Sequence, residues 1–568
     1  MKLTAVLLFF LLPITMHAQN RYDIVIDEIM ADPTPQIGLP NNEWIELKNV
    51  SVTAINLQGW RIADASGQSG PMPNYKLQPD SFVIVCTGSA VAAMSAFGKT
   101  ISVTSFPSLD NDGETIFLKS ASGAIIHAVN YNLASYKNPI KEDGGWTLEM
   151  IDTKNPCNGS NNWTASNNES GGTPGRKNSV DAINIDDTAP KLINGFVTDS
   201  QTIHLVFDEP LDSLNAAVAN DYGIDGDISI ITASPLAPLF NEIELKVNPV
   251  LSADKFYNIT VSNVSDCRGN SIQSDNIVRI ALPADAGKSD LVINEILFNP
   301  KPGGYDYIEL YNSSNKTIDG SKVYIANRNS SSDISSAKAL SEFPFYIFPG
   351  DYVVLTQDAE SLQRNYLVKN PKQVRIISSM PSYPDDDGDV VVINIQGDII
   401  DEVKYDEAWH FKLIDNDEGV ALERVDPGGI TQDASNWHSA ASTAGYGTPT
   451  YINSQYKQTE TTDATIEVSP KIFSPDNDGH DDITTIRYKL SDAGYVANIT
   501  IFDAAGRPVR VLVNNGTMAS TGYWNWDGLN DKGQKLPIGT YIIYTEIFNL
   551  QGKKKHFKNA VVLARRLN

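Results

Sequence analysis

The sequence predicts an all-β protein built of tandem β-sandwich domains, on three observations. Short runs rich in Val, Ile, Tyr and Phe are bounded by Gly, Pro, Asn and Asp, the pattern of strands joined by turns. Within a run such as EWIEL, from Glu43, residues alternate: Ile45 and Leu47 share one face, Trp44 and Glu46 the other. One face is expected to be core and the other at least partly wet. Finally, a series of segments occurs twice in the same order, which marks a duplicated domain.

Composition bounds what such a chain can do. Its 568 residues suggest about three to five domains. An apolar share of 41%, with 23 Tyr, 19 Phe and 8 Trp, supplies ordinary cores and argues against wholesale disorder. With 44 basic against 69 acidic residues the formal charge is −25, which repels phosphate backbones and anionic lipid; nucleic acid is excluded as a partner. Three cysteines are too few for a disulfide scaffold.

Residues 1–18 read as a signal peptide. Lys2 is the positive start, residues 3–14 the apolar run, and Ala18 the small residue before a cut at Gln19. No later stretch is long and apolar enough to be a transmembrane segment. The mature chain is therefore expected outside the cytoplasm, secreted or at the cell surface by way of the periplasm.

The repeat is long. DIVIDEIMADP from Asp23 returns as DLVINEILFNP from Asp290, EWIEL as DYIEL, and FVIVCTG as YVVLTQD. LDNDGETIFLKSASGAIIHAVNY then matches PDDDGDVVVINIQGDIIDEVKY, and NNWTAS with GGTPG matches SNWHSA with GYGTP. In each copy a hairpin follows the Asp-rich turn, with a second turn at Gly123 or Gly397. These motifs together resemble the bacterial lamin tail domain, at 19–180 and again at 289–455. The resemblance implies an immunoglobulin-like β-sandwich and a non-catalytic module of exported proteins.

Between the copies, 187–283 holds strand runs with no long helical period. Its TAP, FDEPLD, NDYGI and SDCRGN motifs resemble the surface-layer type of Ig-like domain. The last segment, 464–568, carries FSPDNDGHDD, ITIFDAAGRPVRVL and WNWDGLNDKGQKLPIGTYIIY. It resembles flagellar hook-capping Ig-like domains and the C-terminal sorting domains of type IX secretion, which implies the secretion machinery as a partner. Charge agrees with that division. Acids outnumber bases in the first three segments, whereas the end carries Lys553, Lys554, Lys555, Lys558, Arg565 and Arg566 without an acid among them.

Several residues invite chemistry. Glu28 and Glu46 recur as Glu295 and Glu309, and paired carboxylates serve acid–base or glycoside hydrolysis. Recurrence in both copies fits a structural need better than two identical active sites. Asp110 with Asp112, and Asp385 to Asp387 with Asp389, read as turns. Asp476, Asp478 and Asp482 form the candidate metal set, for calcium, although no EF-hand spacing is present. No other cofactor is implied. His410 and His438 beside Trp409 and Trp437 read as packing. Trp44, Trp60, Trp146 and Trp163 are either core or a flat surface for sugar or protein.

Cys86 and Cys157 both align with threonines, Thr356 and Thr431, in the second copy. Their joint absence there suggests a disulfide within the first copy, worth roughly 4 kcal/mol on a chain-entropy argument. The alternative is two unrelated thiols, with Cys86 buried in FVIVC. Cys267 is left without an obvious partner.

The expected protein is a structural or adhesive chain, not an enzyme, whose partners are cell-surface proteins or polysaccharide. An extracellular hydrolase using Glu28 and Glu46, or a carbohydrate-binding protein, is the alternative.

Overall fold

The computed structural model describes residues 20–565 other than 254, 413, 415, 457–463, 477, 478, 491, 550 and 551. The expected cleavage site at Ala18 and Gln19, and Asp478 of the candidate calcium set, lie outside the described residues. The chain forms two compact units, Met1–Ile280 and Ala281–Asn568.

In the first unit a six-stranded sheet runs in the order Trp163–Ala165, Leu148–Met150, Ile24–Met30, Trp44–Asn49, Phe82–Thr87, Thr100–Val103. A three-stranded sheet of Arg61–Ala63, Gly113–Lys119 and Ile125–Asn132 accompanies it. Ile26, Ile45, Leu47 and Val85 of the large sheet pack with Ile62, Ile116 and Leu118 of the small one, which is the alternation the sequence prescribes. The unit continues into a second sandwich. Its four strands run in the order Leu192–Asp199, Thr202–Phe207, Glu242–Asn248, Ser229–Pro235, with Tyr222–Ile224, Phe256–Val261 and Ile277–Ala281 forming the other sheet.

The second unit repeats the first pattern. Its six-stranded sheet, Trp437–Ser439, Leu422–Arg424, Leu291–Leu297, Tyr307–Asn312, Tyr352–Thr356, Val374–Ile376, has the same order strand for strand, and the last pairing is parallel in both sheets. The duplication reaches fine detail. The register slips between Ile26 and Glu28 in one copy and between Ile293 and Glu295 in the other, a β-bulge at Asp27 and at Asn294. Gly123 and Gly397, at the two hairpin turns, share φ +87°, a conformation that favours glycine. The C-terminal sandwich pairs Thr465–Ser469, Thr484–Lys489 and Thr521–Trp526 in one sheet and builds the other around Gly539–Asn549. The architecture is thus the tandem all-β one expected.

Two expectations need correction. The Trp44 and Glu46 face is not wet: both residues are 0% exposed. The short helix Val91–Met94 and Leu39 cover Trp44, Met30, Ile84 and Cys86 on that face, and a distant segment described below covers Glu46. The disulfide is also different. Cys157 bonds Cys267, with Cα atoms 6.2 Å apart, and Cys86 is a free, buried thiol. Cys86 stands in mid-sheet between Trp44 and Ser102, whereas Cys157 lies in a loop facing the SDCRGN turn. Comparing the two copies could not reveal a partner in a different module. Burial pushes the Cys86 thiol up to about 11, so iodoacetamide is expected to leave the folded protein unlabelled and to alkylate Cys86 only after unfolding; labelling under native conditions would contradict this placement.

Candidate functional site

The bulge sets up a row of acids. Glu28 stands opposite Glu46 on one neighbouring strand and opposite Glu149 on the other, and all three are 0% exposed. Their oxygens accept from one segment that lies across the sheet after the last strand, GTPGRKNSV. Glu28 Oε1 accepts from Thr173 N at 2.7 Å and from the Thr147 hydroxyl at 2.6 Å. Glu46 Oε2 accepts from Gly175 N. Glu149 accepts from the Thr173 and Ser179 hydroxyls at 2.8 and 2.7 Å, and from Val180 N. Asn178 Nδ2 donates to the carbonyls of Asp27, the bulge residue, and Met150. A strap is thereby laced onto the sheet by backbone amides and hydroxyls that would otherwise be buried without partners.

The second copy reproduces the lacing. Glu295 Oε1 accepts from Thr448 N and the Tyr307 hydroxyl, both at 2.8 Å. Glu309 accepts from Thr450 N, and Glu423 from the Thr448 and Ser454 hydroxyls and Gln455 N. Asn453 Nδ2 donates to the carbonyls of Asn294, at the bulge, and Arg424. Glu149, Glu423 and the strap residues were missed as site members. The signal was a wider match than GTP alone, since Thr, Pro, Asn and Ser recur at one spacing in TPGRKNS and TPTYINS.

Several of these buried carboxyls resist ionisation. Burial, with the Glu423 charge second, pushes Glu295 up to about 8. Burial first and a neighbouring acid second raise Glu28, Glu46 and Glu309 well above the carboxylate range. Asp27 is pushed up to about 7 by burial against the pull of Lys48. The copies differ informatively here. In the second, the Asn294 amide donates to Glu309 Oε1 at 2.7 Å. In the first, Asp27 Oδ1 and Glu46 Oε1 are both buried without a donor. A proton on Asp27 would give this copy the donor that the amide gives the other.

A second exchange lies nearby. Ile26 N donates to His127 Nδ1 and, in the other copy, Ile293 N donates to Asp401 Oδ2, each at 2.9 Å. Asp401 is paired with buried Arg424 at 3.1 Å, at the place where the first copy has Met150. Burial holds His127 neutral, down to about 3.

The other candidates disperse. Trp44, Trp60 and Trp163 are core and only Trp146 is partly exposed, with Lys141 over its ring. His410 is buried and accepts or donates at the Ser439 hydroxyl, 2.9 Å away. Asp482 accepts from Asp476 N and Gly479 N, the geometry of a turn cap.

Comparison with known proteins meets this geometry. Residues 17–133 and 284–407 match the Lamin Tail Domain family, and 466–563 match the CHU_C Type IX secretion signal domain. The chain carries two lamin tail domains. Glu28, Glu46, Glu295 and Glu309 fall inside the matched segments, Glu149 and Glu423 beyond them. The C-terminal type IX signal makes this a protein exported to the cell surface or outside, and no helix among the described residues is long and apolar enough to cross a membrane. No curated protein matches. Among solved structures, the N-terminal part of the bacterial S-layer protein SbsC is 13% identical, covering 29% of this chain and 40% of that one, at a TM-score of 0.16. A tetra-tandem repeat from the extending region of a large adhesion protein is 12% identical, covering 96% and 99%, at 0.14. Dimeric latent PorU from Porphyromonas gingivalis is 10% identical, covering 71% and 35%, at 0.16.

Proposed function

We propose that this protein is a non-catalytic structural or adhesive component, delivered by its C-terminal domain to the cell surface, where its sandwiches act as spacers and present loops to surface proteins or polysaccharide. The observation that carries the reading is the fate of the acids shared by the two lamin tail domains. Each is 0% exposed and accepts hydrogen bonds from the strap or from side chains beside it, so none can reach a substrate. In the second domain the strap also reaches the C-terminal sandwich, its Ser454 carbonyl accepting from Ser520 N, and the turn before the strap does so too, Ser442 N donating to the Thr517 hydroxyl.

Deleting residues 464–568 tests the delivery. Periplasmic retention of the truncated chain is expected; normal arrival at the surface would remove the sorting role. Calcium at Asp476, Asp478 and Asp482 stays a proposal for the same domain. For the non-catalytic half, the purified protein is expected to release nothing from polysaccharide, nucleic acid or phosphoester. Hydrolysis that disappears in Glu46→Gln would establish an enzyme instead.

A further inference from the structure

Away from the glutamate rows, one acidic cluster lacks a counter-charge. Asp186 follows the first lamin tail domain, Glu209 lies in the loop after strand Thr202–Phe207, and Asp266 lies in the SDCRGN turn. One carboxylate oxygen of each lies within 4.8 Å of the other two. Asp186 and Asp266 are 8% and 1% exposed, and Glu209 is half-buried. Among the described residues none of the three forms an ion pair with Lys, Arg or His. The cation acting on Glu209, Lys191, weighs less than Asp186, Asp266 and Asp208, and burial with those acids pushes Glu209 up to about 8.

A second observation points to a ligand. Asp186 Oδ1 accepts from Thr188 N and its hydroxyl at 3.3 and 3.0 Å, while Oδ2 is enclosed and has no donor at all. A buried carboxylate oxygen without a donor, beside two further acids, lacks a positive partner. Asp266 is held in place by the amides of Arg268 and Asn270 and by Asn270 Nδ2. Asn270 Nδ2 also donates to the Asp186 carbonyl, which draws the linker onto the turn.

We propose that Asp186, Glu209 and Asp266 bind one calcium ion at the junction of the first lamin tail domain and the module that follows it. Three carboxylates with no imidazole or thiolate select a hard cation, and calcium tolerates the irregular geometry of a linker and two loops better than magnesium. Cys267, beside Asp266, is bonded to Cys157 and is no ligand. The ion would tie the linker to both loops where the disulfide already ties the neighbouring loop to the turn.

The test is calorimetry of chelator-treated full-length protein with calcium chloride under non-reducing conditions, with hydrogen–deuterium exchange over 182–188 and 265–270. The wild type is expected to bind one equivalent more than Glu209→Gln, with a Kd of about 0.1–1 mM for this site. Glu209→Gln should weaken the site at least about tenfold and abolish the calcium-dependent protection. Glu209 accepts no hydrogen bond among the described residues, so that variant is expected to fold; Asp186→Asn is the second variant should Glu209→Gln not fold. A calcium site at Asp476–Asp482 would persist in Glu209→Gln. Equal stoichiometry and equal protection in wild type and Glu209→Gln, or no wild-type binding up to about 10 mM, would overturn the proposal.

Discussion

Asp27→Asn is expected to stabilise the first lamin tail domain by roughly 2–4 kcal/mol near pH 8 and to leave it almost unchanged near pH 4. The direction follows from the bulge. Asp27 is buried beside Glu28 and Glu46, and its carboxyl rises from 3.8 unfolded to about 7 folded. Between those values the folded chain holds a proton that the unfolded chain releases. The contribution of this group to stability is therefore full below pH 3.8 and is lost as pH rises through about 7, at about 1.4 kcal/mol per pH unit. Asparagine carries its donor at every pH, as Asn294 does in the second copy, where it reaches Glu309 Oε1. The reciprocal Asn294→Asp should import the pH dependence into the second domain. Urea midpoints between about pH 4 and pH 8 decide the matter; parallel profiles for wild type and Asp27→Asn would show that no proton sits there.

The same bulge shows what the sequence could and could not convey. Alternation in EWIEL correctly put Ile45 and Leu47 inward, because a period of two needs only local information. It left the face of Trp44 and Glu46 at least partly wet, because the residue that covers Glu46 is Gly175 of the strap, far along the chain. A strand with both faces buried reads like one with a wet face when charged residues supply the polar half of the pattern. The repeat, by contrast, held more than was drawn from it. His127 against Asp401 and Met150 against Arg424 are one coordinated exchange, legible only once the two pairs are known to touch the same bulge. Glu149 and Glu423 escaped notice because their strands, Leu148–Met150 and Leu422–Arg424, have too few residues for a periodic signal.

Cys157→Ser and Cys267→Ser are each expected to destabilise the first unit by roughly 3–5 kcal/mol, and the double variant by no more than either alone. The bond joins residues separated by 110 positions. Closing so long a loop removes chain entropy from the unfolded state worth about 4–5 kcal/mol. The bond spans two modules, so its loss acts on their junction before it acts on either core. Arg21 opposes that opening through part-buried hydrogen bonds to the carbonyls of Leu211 and Leu239, as does Arg268 through an exposed one to the Lys154 carbonyl, but single hydrogen bonds contribute only about 0.5–1.5 kcal/mol each. Either single variant removes the same cross-link, so the coupling energy between the two should equal the whole single-variant effect. Cys86→Ser, which places a hydroxyl among Met30, Leu39, Ile84 and Met94, should add to either independently. Urea unfolding of the oxidised single and double variants tests this directly. Additive losses at Cys157 and Cys267 would mean that the two thiols stabilise the fold separately and not through a shared bond.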